Sequence, residues 1–305
     1  MPKKSEGTRI VTEDQSLSSL SEKIEDAMEN SICGLQNLLQ ITQYKSSTHL
    51  TLIVSGWDSS CKSKQLIAQY LVGLRASAID SALHIKASLL EDSAVGKVDL
   101  RGSISEIIGT SNADLSDVQK TDERNPWIAE AIWHLCMVLA SRRPEIHPPG
   151  RIIAVKDVHV KAKDHGTDGM ALYITEQDIG LSVIESKAYK NDPRRAIRRA
   201  AAYFREIEND KHTTRIRQDI SVMRRSLSPE RQALVKGVFW KQRRIFMPNP
   251  HYDDTKVMDW VQPLTPLEAL SIDKASIVIM PHKIHDFDVF FDEISELMRE
   301  FVGGL

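Results

Sequence analysis

Three short apolar runs, RIIAVKDVHVKA (151–162), GMALYITEQ (169–177) and GLSVIESKAY (180–189), follow one another across polar connections of a few residues. Runs of this length predict strands, and the tight connections at 163–168 and 176–180 suggest an antiparallel meander. Helical patterns enclose the three. NPWIAEAIWHLCMVLASRRPE precedes them, with Asn125 as the expected N-cap, Pro126 at the first helical position and Ile128, Ile132, Leu135 and Leu139 as the buried stripe. DPRRAIRRAAAYFREIEND follows, with Asp192 as N-cap, Pro193 next, and Ile197, Ala201, Phe204 and Ile207 as the apolar face. Further on, SIVIMPHK reads as a strand and DFDVFFDEISELMREFV as a closing amphipathic helix. From residue 125 the order is helix, three strands, helix, then further elements: an α/β (α+β) core in which a mixed sheet is flanked by helices.

Upstream, residues 1–15 are polar and expected to be disordered. Residues 16–118 form an N-terminal mixed α/β region and a candidate partner interface. There Ile24, Met28, Ile32 and Leu35 mark a helix over 17–39, HLTLIVSGW (49–57) reads as a buried strand, and 61–91 reads as mostly helix. The polar stretch GTSNADLSDVQKTDERNP (109–126) is a domain boundary or a long connection. Residues 119–305 carry the core just described.

Composition removes several classes. The chain has three cysteines, Cys33, Cys61 and Cys136, far apart and without a C-x-x-C pair, which argues against a disulfide framework and a cysteine-rich zinc site. MPKKSEGTRIVTEDQS has no apolar h-region, and no apolar run approaches the roughly 20 residues needed to span a bilayer. No membrane partner and a cytoplasmic location are therefore the expectation.

The chemistry lies in the meander. Residues two apart on a strand face the same way, so Glu185 and Lys187 project together and Ser186 projects opposite. Asp168, at the entrance of the neighbouring strand, reaches the same face if the two strands pair. Two close carboxylates repel unless a cation neutralises them, and a hard dication such as Mg²⁺ takes such oxygen ligands. Asp168 and Glu185 are thus candidate ligands of Mg²⁺, with Mn²⁺ as a substitute. Lys187 could hold or help deprotonate a metal-bound water. An E-x-K arises about once by chance in a chain this long, and Glu185-Ser186-Lys187 is the only one here. Its weight comes from the strand, the preceding Asp and the basic helix that follows; the bland alternative is a weak surface pair on an edge strand.

That helix opens with Arg194, Arg195, Arg198 and Arg199. Over 187–244 there are 17 Lys/Arg against 6 Asp/Glu, in a chain of formal net charge −2. Such a block is the electrostatic footprint of a phosphate-backbone partner, and arginine's fork suits phosphate. The four arginines are candidate DNA contacts; the alternative is that the block pairs with acidic residues elsewhere in the chain.

Glu130 in NPWIAEAIW, Asp168 in HGTDGMALYI and Glu185-Ser186-Lys187 in VIESKAY resemble the PD-(D/E)xK nuclease superfamily, whose core is helix, three strands, helix, strand. More narrowly, HGTDGMALYI…SVIESKAY…AIRRAAAYF resembles the nuclease subunit of Hachiman-type anti-phage systems, the HamA family. The superfamily resemblance covers roughly residues 120–300. It implies a metal-dependent DNA nuclease with Asp168 and Glu185 on the metal, Lys187 as the catalytic lysine and Glu130 as the added acidic residue, a position that Glu123 or Glu145 could also fill. It also implies a helicase partner that restrains the nuclease. Gly169 follows Asp168, so the ligand sits at a turn. Backbone grip without base reading implies little sequence specificity.

Two rivals come from other classes. One is a non-catalytic nucleic-acid-binding or scaffold subunit keeping the nuclease fold. The other is a nucleotide switch on GWDSSCKS (Gly56–Ser63), where Cys61 stands at the second glycine of the P-loop pattern. His282 and His285, with Asp286 or Asp288, form a weaker metal pattern. His165 and Tyr189 lie beside the proposed site and read as a turn residue and a half-buried aromatic. Trp127, Trp133, Trp240 and Trp260 read as core or interface.

Overall fold

A computed structural model describes residues 19–83, 93–159, 167–176 and 178–305. The expected tail at 1–15, residues 84–91 of the second helix, the end of the 151–162 run and His165 lie outside the described residues. The protein is α+β, with two mixed sheets flanked by helices. No described helix is long and apolar enough to cross a membrane.

Helix α1 (Leu20–Leu38) opens with a capping box in which Ser19 and Glu22 satisfy each other's backbone N–H. Strands β1 (Gln40–Lys45) and β2 (Leu50–Ser55) pair antiparallel. Helices α2 (Cys61–Leu83) and α3 (Ser93–Ile108) follow. Helix α4 (Asn125–Ala140) is buried on nearly every side. Asn125 is not its cap. The chain enters through a helical turn capped by Ser116 and a π-turn over Lys120–Arg124, so Asn125 is already helical.

The meander is β3 (Arg151–Val155), β4 (Gly169–Ile174) and β5 (Ile179–Ala188), antiparallel throughout. After Lys156, whose N–H still donates to the Met170 carbonyl of β4 at 2.8 Å, residues 157–159 leave the sheet, which shortens the expected first strand. Gly169 is required by packing: a Cβ there would lie 2.3 Å from the Trp133 ring of α4. Helix α5 (Pro193–Glu208) begins as expected, with the Asp192 side chain accepting from Arg195 N at 2.7 Å. Helix α6 (Thr213–Arg225) follows.

The sequence reading missed β6 (Arg244–Asp253), a ten-residue strand parallel to β5 in the middle of the sheet. The polar run NPHYDD lies in this strand up to Asp253, and only Asp254 onward leaves it. Pro248 and Pro250 hid it, because proline lacks the N–H a central strand normally donates. Here the Pro248 carbonyl faces Met280, whose N–H it accepts at 3.0 Å. That flank is paired only in fragments: SIVIMPHK is two short pieces, β7 (Val278–Ile279) and β8 (His282–Ile284), rather than one strand. The larger sheet is ordered β3-β4-β5-β6-β8, and the smaller β1-β2-β7.

Helix α7 (Phe287–Gly304) closes the chain. One apolar core joins α1, α2, α3, α4 and α7 to both sheets; a second lies between α5, α6 and the opposite face of the larger sheet.

Candidate active site

Pairing of β4 with β5 places Gly169 opposite Ile184, so Asp168 arrives beside Glu185. Its reach, doubtful from the sequence, is sufficient. Asp168 Oδ2 accepts from the Ser186 N–H at 3.0 Å and from Lys187 Nζ at 2.8 Å. Lys187 Nζ also lies 2.7 Å from Glu185 Oε1. One ammonium thus joins two carboxylates from adjacent strands. Ser186 points the other way, donating to Asn249 Oδ1 at 3.0 Å, and Asn249 Nδ2 donates to the Met280 carbonyl at 2.6 Å. This buried bond chain fixes β5 against β6 directly behind the charged pair.

The electrostatics are unbalanced. Glu185 is buried, and its Oε2 has no hydrogen-bond partner among the described residues. Burial, then the charge of Asp168, push its pKa up to about 8. Burial likewise raises Glu130. For Lys187 burial works against the charge, but Asp168 and Glu185 outweigh it and hold the ammonium above the ordinary lysine range. Two carboxylates share one lysine, and the charge of Glu130 adds to the repulsion on Glu185.

These groups open into a cavity of about 540 Å³. Glu130 lines it from α4, where Oε1 accepts from the His159 N–H at 3.2 Å and Oε2 lies 3.3 Å from His159 Nδ1. Of the alternatives, Glu145 is exposed and paired with Arg143. Glu123 does not line the cavity, whereas Asp122, from the π-turn, does. Lys156 Nζ donates to the Thr167 carbonyl at 2.9 Å and lies 3.5 Å from Asp219 Oδ2. The Tyr203 hydroxyl lies 2.9 Å from Thr167 Oγ1, and burial raises its pKa to about 12.

The four arginines divide. Arg199 lines the cavity, and Arg195 lies over the Tyr189 ring, 4.9 Å from its centroid, at the rim. Arg198 is 3.2 Å from the N-cap Asp192, and with Arg194 it borders a separate cavity beside Met258 and Leu264. Half of the expected DNA contacts therefore face the site. His159, Tyr203 and Asp122, which also line the cavity, were missed. Tyr203 was readable, standing four residues after Arg199 and three before Glu206, all three on one helical stripe. His159 gave no signal, because it sits where the strand had been expected to continue.

Among the described residues no group of three or more His, Cys, Asp or Glu side chains has the geometry to hold a metal ion. A hard dication needs less, since Mg²⁺ is commonly held by one or two carboxylates and keeps several waters. The donor chemistry of Asp168 and Glu185, with a buried carboxylate oxygen left unpartnered, fits such an ion.

The other sequence candidates separate from this site. Gly56, at φ +101°, turns β2 into α2; Ser60 N donates to Ser63 Oγ at 3.1 Å, and Asp58 accepts from His285 N at 2.9 Å. That is a strand-to-helix turn with its polar groups engaged. His282 is buried and stacked on His251, whereas His285 is exposed and bonded to Asp254. The two do not converge. Trp127, Trp133, Trp240 and Trp260 are all buried. No protein-family model matches the chain, and a search of curated proteins returns no match.

Proposed function

We propose that this chain is a metal-dependent nuclease that hydrolyses DNA phosphodiester bonds with little sequence specificity. The observation that carries the reading is the clasp of Lys187 by Asp168 and Glu185 at the mouth of a cavity bordered by Arg199. The order of helix α4, three antiparallel strands, helix α5 and parallel strand β6 supports a PD-(D/E)xK plan. The narrower resemblance extends the proposal to the effector of an anti-phage complex with a helicase partner.

Asp168 and Glu185 would hold the dication, which when bound supplies an acidified water and charge neutralisation at the phosphate. Lys187, kept protonated by its neighbours, orients the attacking water and faces the negative charge that develops on phosphorus-bound oxygen. It acts as a cation rather than a base while both carboxylates are ionised. Arg199 holds a phosphate oxygen, and Arg195 against Tyr189 narrows the entrance. Glu130 positions His159 at the wall.

The test is cleavage of supercoiled plasmid with Mg²⁺ or Mn²⁺ by the wild type beside Glu185→Ala and Lys187→Ala. Cutting by the wild type alone is expected. Cutting that survives both substitutions would remove this site from the chemistry. A second reading, a non-catalytic nucleic-acid-binding subunit, draws on the same ion pairs as a self-satisfied cluster; it predicts no cutting by any of the three and unchanged DNA binding by Lys187→Ala.

A further inference from the structure

A further concavity, of about 420 Å³, lies between α6 and the turn at 235–240. Arg217, Arg224 and Lys236 line it, and no described lining residue is acidic. Arg217, Ser221 and Arg224 are spaced i, i+4, i+7 and form one stripe of α6. Arg224 Nε donates to the Gln232 carbonyl at 2.9 Å, which holds the guanidinium at the rim. Neither Arg217 nor Lys236 has an ion pair among the described residues. Trp240 forms part of the wall at 1% exposure, and its indole N–H is buried without an acceptor.

Three cations around one hollow repel one another and call for an anion. The Trp240 indole N–H, buried in the residue that backs this hollow, is a further donor without an acceptor among the described residues. A phosphate group supplies the charge and several acceptor oxygens. The opposite flank of α6 carries Asp219, which lies 3.5 Å from Lys156 on the segment that leads to His159 in the cavity wall. One helix thickness, about 10 Å, separates the two flanks. We propose that this hollow is a second phosphate-binding site, occupied by the nucleic-acid backbone as it passes over α6 from the cleavage cavity. The nucleic-acid occupant rests on the nuclease reading above; the anion site itself does not.

The experiment uses Glu185→Gln protein, so that DNA is bound but not cut, and a fluorescein-labelled duplex followed by anisotropy across a salt series. Adding Arg217→Glu and Arg224→Glu is expected to weaken binding at least tenfold at low salt. It should also flatten the dependence of log K on log salt by about 2, as loss of two phosphate contacts requires. Lys45→Glu, on the edge strand β1, serves as the charge control and should leave the slope unchanged. Inorganic phosphate and ATP are titrated separately against the Trp240 indole resonance in ¹⁵N-tryptophan-labelled protein, with Trp240→Phe assigning the peak. An unchanged slope in the double variant, with melting temperatures matched, overturns the proposal. Saturation by ATP with DNA binding unaltered reassigns the hollow to a free nucleotide and also overturns it. Plasmid cleavage by the wild type is scored apart, so failure of the nuclease reading and failure of this site appear in different measurements.

Discussion

Lys187 is the residue on which the charge balance of the site turns. Its ammonium pairs with Asp168 and Glu185 at once, and its side chain is 25% exposed. Removal of one partner from a fully buried pair costs about 3–5 kcal/mol; with this exposure, Lys187→Ala is expected to cost about 2 kcal/mol. Added Mn²⁺ should restore more of the melting temperature in Lys187→Ala than it adds to the wild type, because a dication takes the charge role the lysine vacates. Calorimetric melts with and without the metal test this, and equal metal shifts in the two proteins would rule it out. Glu185 gives the pH dependence. Its folded pKa, about 8, lies above its unfolded value, so the folded state holds the extra proton and stability falls as pH rises toward 8. The buried histidines His134 and His147 work in the opposite direction, since burial lowers each to about 4 and their contribution is complete above the ordinary histidine pKa near 6.5. The decline from Glu185 therefore runs on between about pH 6.5 and 8, a window that it shares with exposed His285, raised by its bond to Asp254. Urea denaturation of metal-free protein over that window should show it, and Glu185→Gln should flatten it. The acidic and basic residues of the site were legible because a period of two on a strand assigns faces. The proton partners were not: His159 reaches Glu130 from a segment that leaves the sheet, and no spacing rule announces such a contact.

At the scale of elements, the sequence spoke clearly wherever local chemistry and tertiary role agree. Asp192-Pro193 caps α5 as read, and the apolar run of β5 lies at the centre of the sheet between β4 and β6. It was silent where they disagree. Strand β6 carries two prolines in a central position, tolerated because its outer flank is paired only in pieces. Helix α4 has Asn-Pro at its apparent start, but the π-turn before it carries the helical path back to a cap at Ser116 and brings Asp122 to the cavity. Gly169 is the point at which packing of elements and placement of the site coincide. A methyl group there collides with the Trp133 ring, so the start of β4 must move away from α4 and take Asp168 with it. Gly169→Ala is expected to destabilise the protein by about 1–3 kcal/mol, the range for overpacking, and to lower cleavage further than stability alone explains. Chemical denaturation and plasmid assays on the same preparation separate the two effects. A variant with wild-type stability and activity would show that the ring yields.

For the whole molecule, the polar stretch at 109–126 is a connection along which the apolar core continues. Residues before it supply α1, α2 and α3, and these share one core with α4 and α7. Strand β2 pairs in parallel with β7, 223 residues beyond the end of β2. Lys64 of α2 meets Glu293 of α7 at 2.5 Å, and Arg124 meets Asp292. The closing helix thus rests on the N-terminal helices and, through β7 and β8, sets the flank of β6 that its prolines leave open. Cutting the chain at residue 118 would strip α7 and α4 of one side of their packing, exposing Phe290, Phe291, Ile294 and Met298, all buried in the intact chain. Apolar surface of that extent is not tolerated by a stable monomer. The fragment 119–305 expressed alone is therefore expected to lack a cooperative thermal transition, to bind a hydrophobic dye and to lose plasmid cleavage. Co-expression with 1–118 should return all three properties, because the shared core reforms across the break without a covalent link. A fragment 119–305 that melts cooperatively near the temperature of the whole chain would show instead that the meander, α5 and β6 suffice by themselves, and that the N-terminal region is an attachment to a self-standing catalytic core.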